Sequence, residues 1–200
     1  MTSKISWLTV GLAILVGALG LGWPENRHAV LHANDNDRDS AHISRFLPTP
    51  HEVVNRMLEL AEIKQGDVLY DLGSGDGRIV VAAAKKFGIR AVGFEIDPGL
   101  VKDSRQFIKQ AGLEELVEIR EQDIRTVDFS PASVVTMYLY PAANLRLGPV
   151  LMRELKPGSR VLSHDFGMGS WKPDRVERLQ DSAGLSRTIY RWRIAEPAGR

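Results

Sequence analysis

The run Asp71-Leu72-Gly73-Ser74-Gly75-Asp76-Gly77 alternates glycines with side chains that can accept hydrogen bonds. Glycines at this spacing let a backbone turn sharply and approach a ligand where a β-carbon would obstruct. Residues 68–72 ahead of it read as a buried strand and residues 79–87 after it as a helix. The loop therefore belongs at the carboxyl end of a strand, where open α/β sheets bind their ligands. A dinucleotide fingerprint needs its third glycine on the helix against the strand, but Arg78 stands there and the third glycine comes one residue early. A phosphate-gripping loop would need a Lys-Ser/Thr pair that is missing. A pyrophosphate is thus not the expected ligand.

S-adenosylmethionine fits better. Its methionyl end carries an ammonium rather than phosphates, and Asp71 beside the loop can offset that charge. Glu95 ends the next strand, where a ribose could present two hydroxyls to its two oxygens. Asp123 follows the third strand and could accept from an adenine amino group. Each carboxylate alone reads equally well as a helix cap or a solvated loop residue. Together with the glycine spacing, at three successive strand ends, they form one constellation.

The elements that must position these groups follow from periodicity. Thr49-Pro50-His51-Glu52 reads as a helix start, with Pro50 at the first helical position, and Val53, Val54, Met57, Leu58 and Ala61 give that helix one apolar face. Strands are expected at 68–72, 91–95, 117–119, 134–138 and 160–163, and helices at 79–87, 98–110 and 144–155. Such alternation predicts right-handed crossovers and a doubly wound, mostly parallel α/β sheet covered on both faces. Residues 175–179 and 188–194 have strand character without a helix between them, as expected of an antiparallel hairpin closing the sheet edge.

Composition sets outer bounds. The 200 residues carry a formal net charge of +1, which gives no global reason to expect a nucleic-acid partner. The absence of cysteine excludes disulfides, thiolate metal sites and cysteine nucleophiles, and no metal is expected. Lys85, Lys86, Arg187, Arg191 and Arg193 read as solvated faces.

Residues 5–23 contain no charge and as a helix would span roughly 28 Å, close to the ~30 Å hydrocarbon core of a bilayer. Trp7 and Trp23 lie near the two ends, and Lys4 stands in front. Residues 1–23 are thus expected to form a hydrophobic helix that anchors the chain in a membrane. A cleaved signal peptide with an exported domain is the alternative, since Ala18-Leu19-Gly20 offers a cleavage pattern. Arg27, Arg38 and Arg45 follow the segment and favour a domain facing the cytoplasm. Residues 24–45 are polar and aperiodic and read as a tether, with the globular domain in 46–200.

Asp71 to Gly77 resembles motif I of class I S-adenosylmethionine-dependent methyltransferases, and Gly93-Phe94-Glu95-Ile96-Asp97 resembles their ribose-binding segment. Phe46-Leu47-Pro48-Thr49-Pro50, the stretch from Asp71 through Val80, and Trp171-Lys172-Pro173 are similar to a narrower group. This group is the small seven-β-strand protein lysine methyltransferases of mitochondria that modify the adenine nucleotide translocase and the c-subunit of ATP synthase. The resemblance implies a Rossmann-like seven-stranded domain and S-adenosylmethionine as cofactor. It implies cofactor contacts from Thr49, Asp71, Gly73, Ser74, Gly75 and Asp76. It extends them to Gly77, Glu95, Ile96, Asp123, Ile124 and Tyr138.

Tyr138-Leu139-Tyr140-Pro141 stands where this fold presents residues to the methyl acceptor. It departs from the Asn/Asp-Pro-Pro-Tyr/Phe pattern of many amine and nucleobase methyltransferases, and cytosine-C5 chemistry lacks its cysteine. Methyl transfer from a sulfonium is an in-line displacement with an activated leaving group, so the protein mainly aligns the acceptor and takes its proton. For a lysine, an apolar aromatic slot suffices, because desolvation lowers an ammonium pKa. Tyr138 and Tyr140 are the candidates, placed by strand alternation on one face with Thr136, and His164 and Asp165 could border the same cleft. The expected acceptor is a protein lysine, with a membrane protein within reach of the tether as one class of partner. A small-molecule methyltransferase and a non-catalytic cofactor-binding module stay open as alternatives.

Overall fold

The computed structural model describes residues 47–195. The stretches expected to form the membrane segment and tether, with the helix at 1–23, lie outside the described residues. Among the described residues no helix is long and apolar enough to cross a membrane.

In chain order the elements are α1 (His51–Leu60), β1 (Val68–Leu72), α2 (Arg78–Phe87), β2 (Arg90–Glu95), α3 (Pro98–Gln110) and β3 (Val117–Glu121). A short 3-10 turn (Ile124–Thr126) leads to β4 (Val134–Met137), α4 (Pro141–Glu154), β5 (Arg160–His164), β6 (Arg175–Gln180) and β7 (Ser186–Arg193). They build one seven-stranded sheet in the order β3-β2-β1-β4-β5-β7-β6. The five strands β1 to β5 pair in parallel, while β7 runs antiparallel between β5 and β6. The expected hairpin is present, and its second strand, not its first, pairs with β5.

Leu69, Leu72, Val92, Phe94, Val135, Met137, Val161 and Trp192 are buried, which explains the continuous apolar runs of strands covered on both faces. The order turns back between β1 and β4, so their carboxyl ends flank the crevice where this architecture holds ligands.

Three boundary differences bear on the site. The carbonyl of Pro50 accepts from Val54 N–H at 2.9 Å, so Pro50 is the cap of α1 and not its first residue, and Thr49 makes no cap bond. β4 stops at Met137, and α4 starts at Pro141, three residues earlier than the apolar pattern implied. Alternation along β4 therefore does not extend to Tyr138 and Tyr140. Of the tail arginines read as solvated, Arg193 is exposed, but Arg187 and Arg191 are not. Arg191 is only 8% exposed, held by Asp174 at 2.7 Å and by Glu62, just past α1, at 2.6 Å. Arg56 of α1 pairs with Glu177 of β6. These ion pairs fasten α1 to the hairpin and so fix Thr49 in front of the crevice.

Candidate active site

The glycine loop hooks over the end of β2. The N–H groups of Gly73 and Ser74 both donate to the Phe94 carbonyl at 2.9 Å, and Gly77 N–H returns to Ser74 O at 2.9 Å. Gly73 has φ +72°, and a β-carbon there would lie 2.8 Å from Leu139 Cδ2. Gly93 leaves room for Ser74, since a β-carbon on it would meet Ser74 Oγ at 2.6 Å. The sequence reading attached the loop glycines to a sharp turn and to ligand approach. The structure adds that Gly73 and Gly93 are demanded by neighbouring side chains.

Asp71 ends up 2% exposed beneath this loop, its Oδ1 accepting from Thr136 Oγ1 at 2.7 Å. Burial pushes its carboxyl up to about 7, opposed by the Thr136 hydrogen bond and aided by the charges of Asp76 and Glu95. Glu95 is tied into the loop: one oxygen accepts from Gly75 N–H at 2.8 Å, the other from Ile96 N–H at 2.7 Å and Asp97 N–H at 3.0 Å. Asp97, in the segment resembling the ribose site, instead caps α3 through Gly99 and Leu100. Ile96 is 66% exposed beside Glu95. Gln122 N–H donates to the Glu95 carbonyl at 3.0 Å, which sets Asp123 beside that strand end. Asp123 caps the 3-10 turn through Arg125 N–H at 2.9 Å and pairs with the Arg125 guanidinium, while Ile124 packs against the core.

Arg78, which enters the sequence reading only as a departure from the dinucleotide pattern, has a positive task. Its guanidinium grips Asp76 at 2.6 Å and the Thr49 carbonyl at 2.8 Å, joining the loop to the segment before α1. The Thr49 hydroxyl lies 3.2 Å from His164 Nδ1. His164 is fully buried, and burial pushes its pKa down to about 4, so the ring is neutral at physiological pH. His164 Nε2 faces Asp165 Oδ2 at 3.3 Å without hydrogen-bond alignment.

Against His164 lies Tyr138, ring centroids 4.0 Å apart, with Phe166 stacked beyond it at 6.2 Å and 17°. Burial and the Asp165 charge raise the Tyr138 phenol. Tyr140 is 52% exposed at the cap of α4, outside this stack. Asn144 is buried, donating to Ser163 Oγ and the Phe166 carbonyl at 3.0 Å each, so α4 holds the turn after β5 in place. The carboxyl ends of β1, β2, β4 and β5 thus carry an acidic cradle and, beside it, an aromatic wall.

The cradle suits a cation. Three carboxylates converge on a loop whose nearby guanidinium is already committed, and Ser74 Oγ is buried with no hydrogen-bond partner among the described residues. An adenosyl sulfonium with a methionyl ammonium matches that set of acceptors; a pyrophosphate would meet repulsion.

Residues 71–175 match the model of a family described as the ANTKMT methyltransferase domain, just over half of the chain. The chain belongs to that family. It is a class I S-adenosylmethionine-dependent methyltransferase, and the residues that carried the expectation, Asp71 to Gly77 and Gly93 to Asp97, lie within the matched span.

This methyltransferase is 42% identical over 152 residues to a protein-lysine N-methyltransferase of Saccharolobus islandicus, an alignment covering 76% of this chain and 94% of that one. It is 37% identical over 154 residues to the human lysine N-methyltransferase of the ATP synthase c-subunit, covering 76% of this chain and 65% of the human protein. Among solved structures, an RNA methyltransferase from Salinibacter ruber in complex with S-adenosyl-L-homocysteine superposes with a TM-score of 0.70 at 53% identity. That match covers 77% of this chain and 97% of the other.

The methyltransferase site also contains groups that sequence reasoning missed. Phe166 carried no periodic signal because it follows a turn, and Arg187 was read as solvated because its two carboxylate partners, Asp165 and Asp181, come from separate turns. His164 and Asp165 were legible only as residues following a fifth strand. Trp171, part of the narrower resemblance, receives the Trp192 indole N–H on its carbonyl at 2.7 Å, so it supports the hairpin.

Proposed function

We propose that this methyltransferase transfers the methyl group of S-adenosylmethionine to the ε-amino nitrogen of a lysine in a protein. The observation that carries the reading is the wall of Tyr138, His164 and Phe166 beside the acidic cradle, with an uncharged imidazole at its back. Such a wall desolvates an ammonium, which favours its neutral, nucleophilic form, and tolerates the methylammonium that results. The names of the archaeal and human relatives agree with it. In this reading the cofactor is held by Thr49, Asp71, residues 73–77, Glu95, Ile96, Asp123 and Ile124. Tyr138 stands between cofactor and acceptor, and Tyr140 lines the entrance. The bound cofactor supplies an activated methyl carbon; the chain's own groups exclude water and align the amine.

A second reading, an RNA acceptor, is favoured by the naming of the Salinibacter ruber relative. The charge at this end of the sheet opposes it. Arg78, Arg125 and Arg187 are each bound to a carboxylate, and Asp71, Asp76, Glu95 and Asp165 surround the crevice, a poor surface for a phosphate backbone.

We further propose that residues 1–23 anchor the chain in a membrane with the domain on the cytoplasmic side, and that the acceptor is a membrane protein. The uncharged run 5–23, the need for a cytoplasmic methyl donor and the human relative's name support this. Carbonate extraction of membranes and N-terminal sequencing test it: recovery in the soluble fraction, or a cleaved start, contradicts it.

The acceptor is tested by incubating the full chain and tritium-methyl donor with a lysate of a deletion strain, then identifying the labelled species. Label in a lysine side chain is expected. Label in RNA or in a small molecule, or cofactor binding without turnover, contradicts the lysine reading.

A further inference from the structure

Asp165 is a carboxylate at this end of the sheet that the cofactor reading does not use. β5 ends at His164, and Phe166 N–H turns back onto the His164 carbonyl at 2.8 Å, which forces Asp165 to φ +60°. Side chains rarely adopt that region, and a residue kept there calls for a reason. Its Oδ1 is fixed by Thr188 N–H at 2.8 Å. Its Oδ2 is held loosely, with Arg187 Nη1 at 3.4 Å on one side and His164 Nε2 at 3.3 Å on the other.

The two neighbours differ in what they can give up. His164 Nε2 is fully buried, finds no hydrogen-bond partner among the described residues and points at Oδ2. Arg187 has a stronger anchor elsewhere: its Nε donates to Asp181 Oδ2 at 2.7 Å, and Asp181 is itself fixed by Ala183 and Leu185 N–H. Its guanidinium can leave Asp165 without losing that pair. Tyr138, whose phenol interacts with both Asp165 and Arg187, stands beside the position with its ring stacked on Phe166. A carboxylate beside aromatic faces, carrying a replaceable cation, is a receptor for another cation.

We propose that Asp165 receives the acceptor lysine nitrogen and that Arg187 holds this position until the substrate displaces it. The inference rests on the lysine reading above. The entering ammonium gives one proton to water by way of the Asp165 carboxylate. The freed lone pair then attacks the methyl carbon, a C–N bond forms, the C–S bond breaks and its electron pair stays on sulfur. The products are a neutral thioether and an N-methylammonium whose charge faces Asp165. His164 is a positioning residue that packs behind Oδ2, its Nε2 3.3 Å away.

Asp165→Asn and Arg187→Gln test the assignment in the full chain, with deletion-strain lysate protein as the acceptor and lysine-bound label as the readout. Asn tolerates the backbone of position 165 and still accepts from Thr188 N–H; Asp165→Gly, which fits the same φ, guards against a folding artefact. Asp165→Asn and Asp165→Gly are expected to raise the apparent KM for lysate acceptor at least tenfold, with cofactor affinity within twofold of wild type. Arg187→Gln is expected to lower that KM. An unchanged acceptor KM in both Asp165 variants, equal loss of cofactor affinity, or an Arg187→Gln effect of the same sign as Asp165→Asn overturns the proposal. Wild-type chain that labels no lysine defeats the lysine reading itself, whereas lysine labelling indifferent to Asp165 defeats only this inference.

Discussion

The hydroxyl of Thr136 donates to Asp71 Oδ1 at 2.7 Å across the β1–β4 seam, a hydrogen bond that favours the charged form of a carboxylate which burial drives toward neutrality. Burial outweighs that bond and pushes the Asp71 carboxyl up to about 7.

This has a pH signature. With its folded pKa at about 7 against an ordinary 3.8, Asp71 binds a proton that the unfolded chain has already released between those values. Its contribution to stability is complete below the lower value and is lost as pH rises to the upper one, at about 1.4 kcal/mol per unit. Asp71→Asn is expected to flatten that slope in urea denaturation at pH 5 and 7. A cationic cofactor favours the ionised form, so affinity for S-adenosylmethionine should rise about tenfold from pH 6 to 8 in wild type and stay low and flat in Asp71→Asn. Calorimetry at the two pH values reads it.

Arg78 ties the glycine loop to the Thr49 segment. Arg78→Met removes the donor to the Thr49 carbonyl and should cost about 2 kcal/mol of stability, the range of a charge-assisted bond. It should also weaken cofactor binding, since both joined segments border the crevice. Chemical denaturation and calorimetry on the same preparation check the two effects.

Gly73→Ala meets two obstacles, a positive φ and the Leu139 methyl at 2.8 Å. A loss of about 1–2 kcal/mol is expected from the backbone alone. Adding Leu139→Ala should relieve only the contact, so the double variant recovers part of the cofactor affinity and none of the backbone cost. A double-mutant cycle measures the difference.

Arg160 serves as a control at the opposite end of β5. Buried, it pairs with Asp67 and donates to the Ala61 carbonyl at 2.8 Å. Arg160→Met should destabilise the chain by about 3–5 kcal/mol by leaving Asp67 without this partner. Cofactor affinity at a temperature where the variant is folded should not change.

How far the sequence reached can be read from particular elements. The parallel strands were legible because fully buried strands spell continuous apolar runs, and the loop because its glycines interrupt one at the strand's end. Glu95 was legible as a carboxylate at the end of β2, but its ties to Gly75, Ile96 and Asp97 N–H were not, and Asp97 beside it caps a helix. The start of α4 was misplaced because Tyr140-Pro141 marks a helix entry that the apolar pattern, beginning later, does not reveal. What stayed hidden depends on residues brought together from distant parts of the chain. Thr49 with His164 and Arg187 with Asp165 are contacts that no local spacing encodes. Arg191 looked solvated because a guanidinium on a strand is usually exposed, and only the packing of α1 on the hairpin buries it.

Titration of the full chain with S-adenosylmethionine at pH 8, in parallel with Glu95→Gln and Asp71→Asn, tests the acidic cradle most directly. One cofactor per chain is expected, with affinity reduced at least tenfold in each variant. Absence of binding to wild type, or equal affinity in all three proteins, would contradict the assignment of the site.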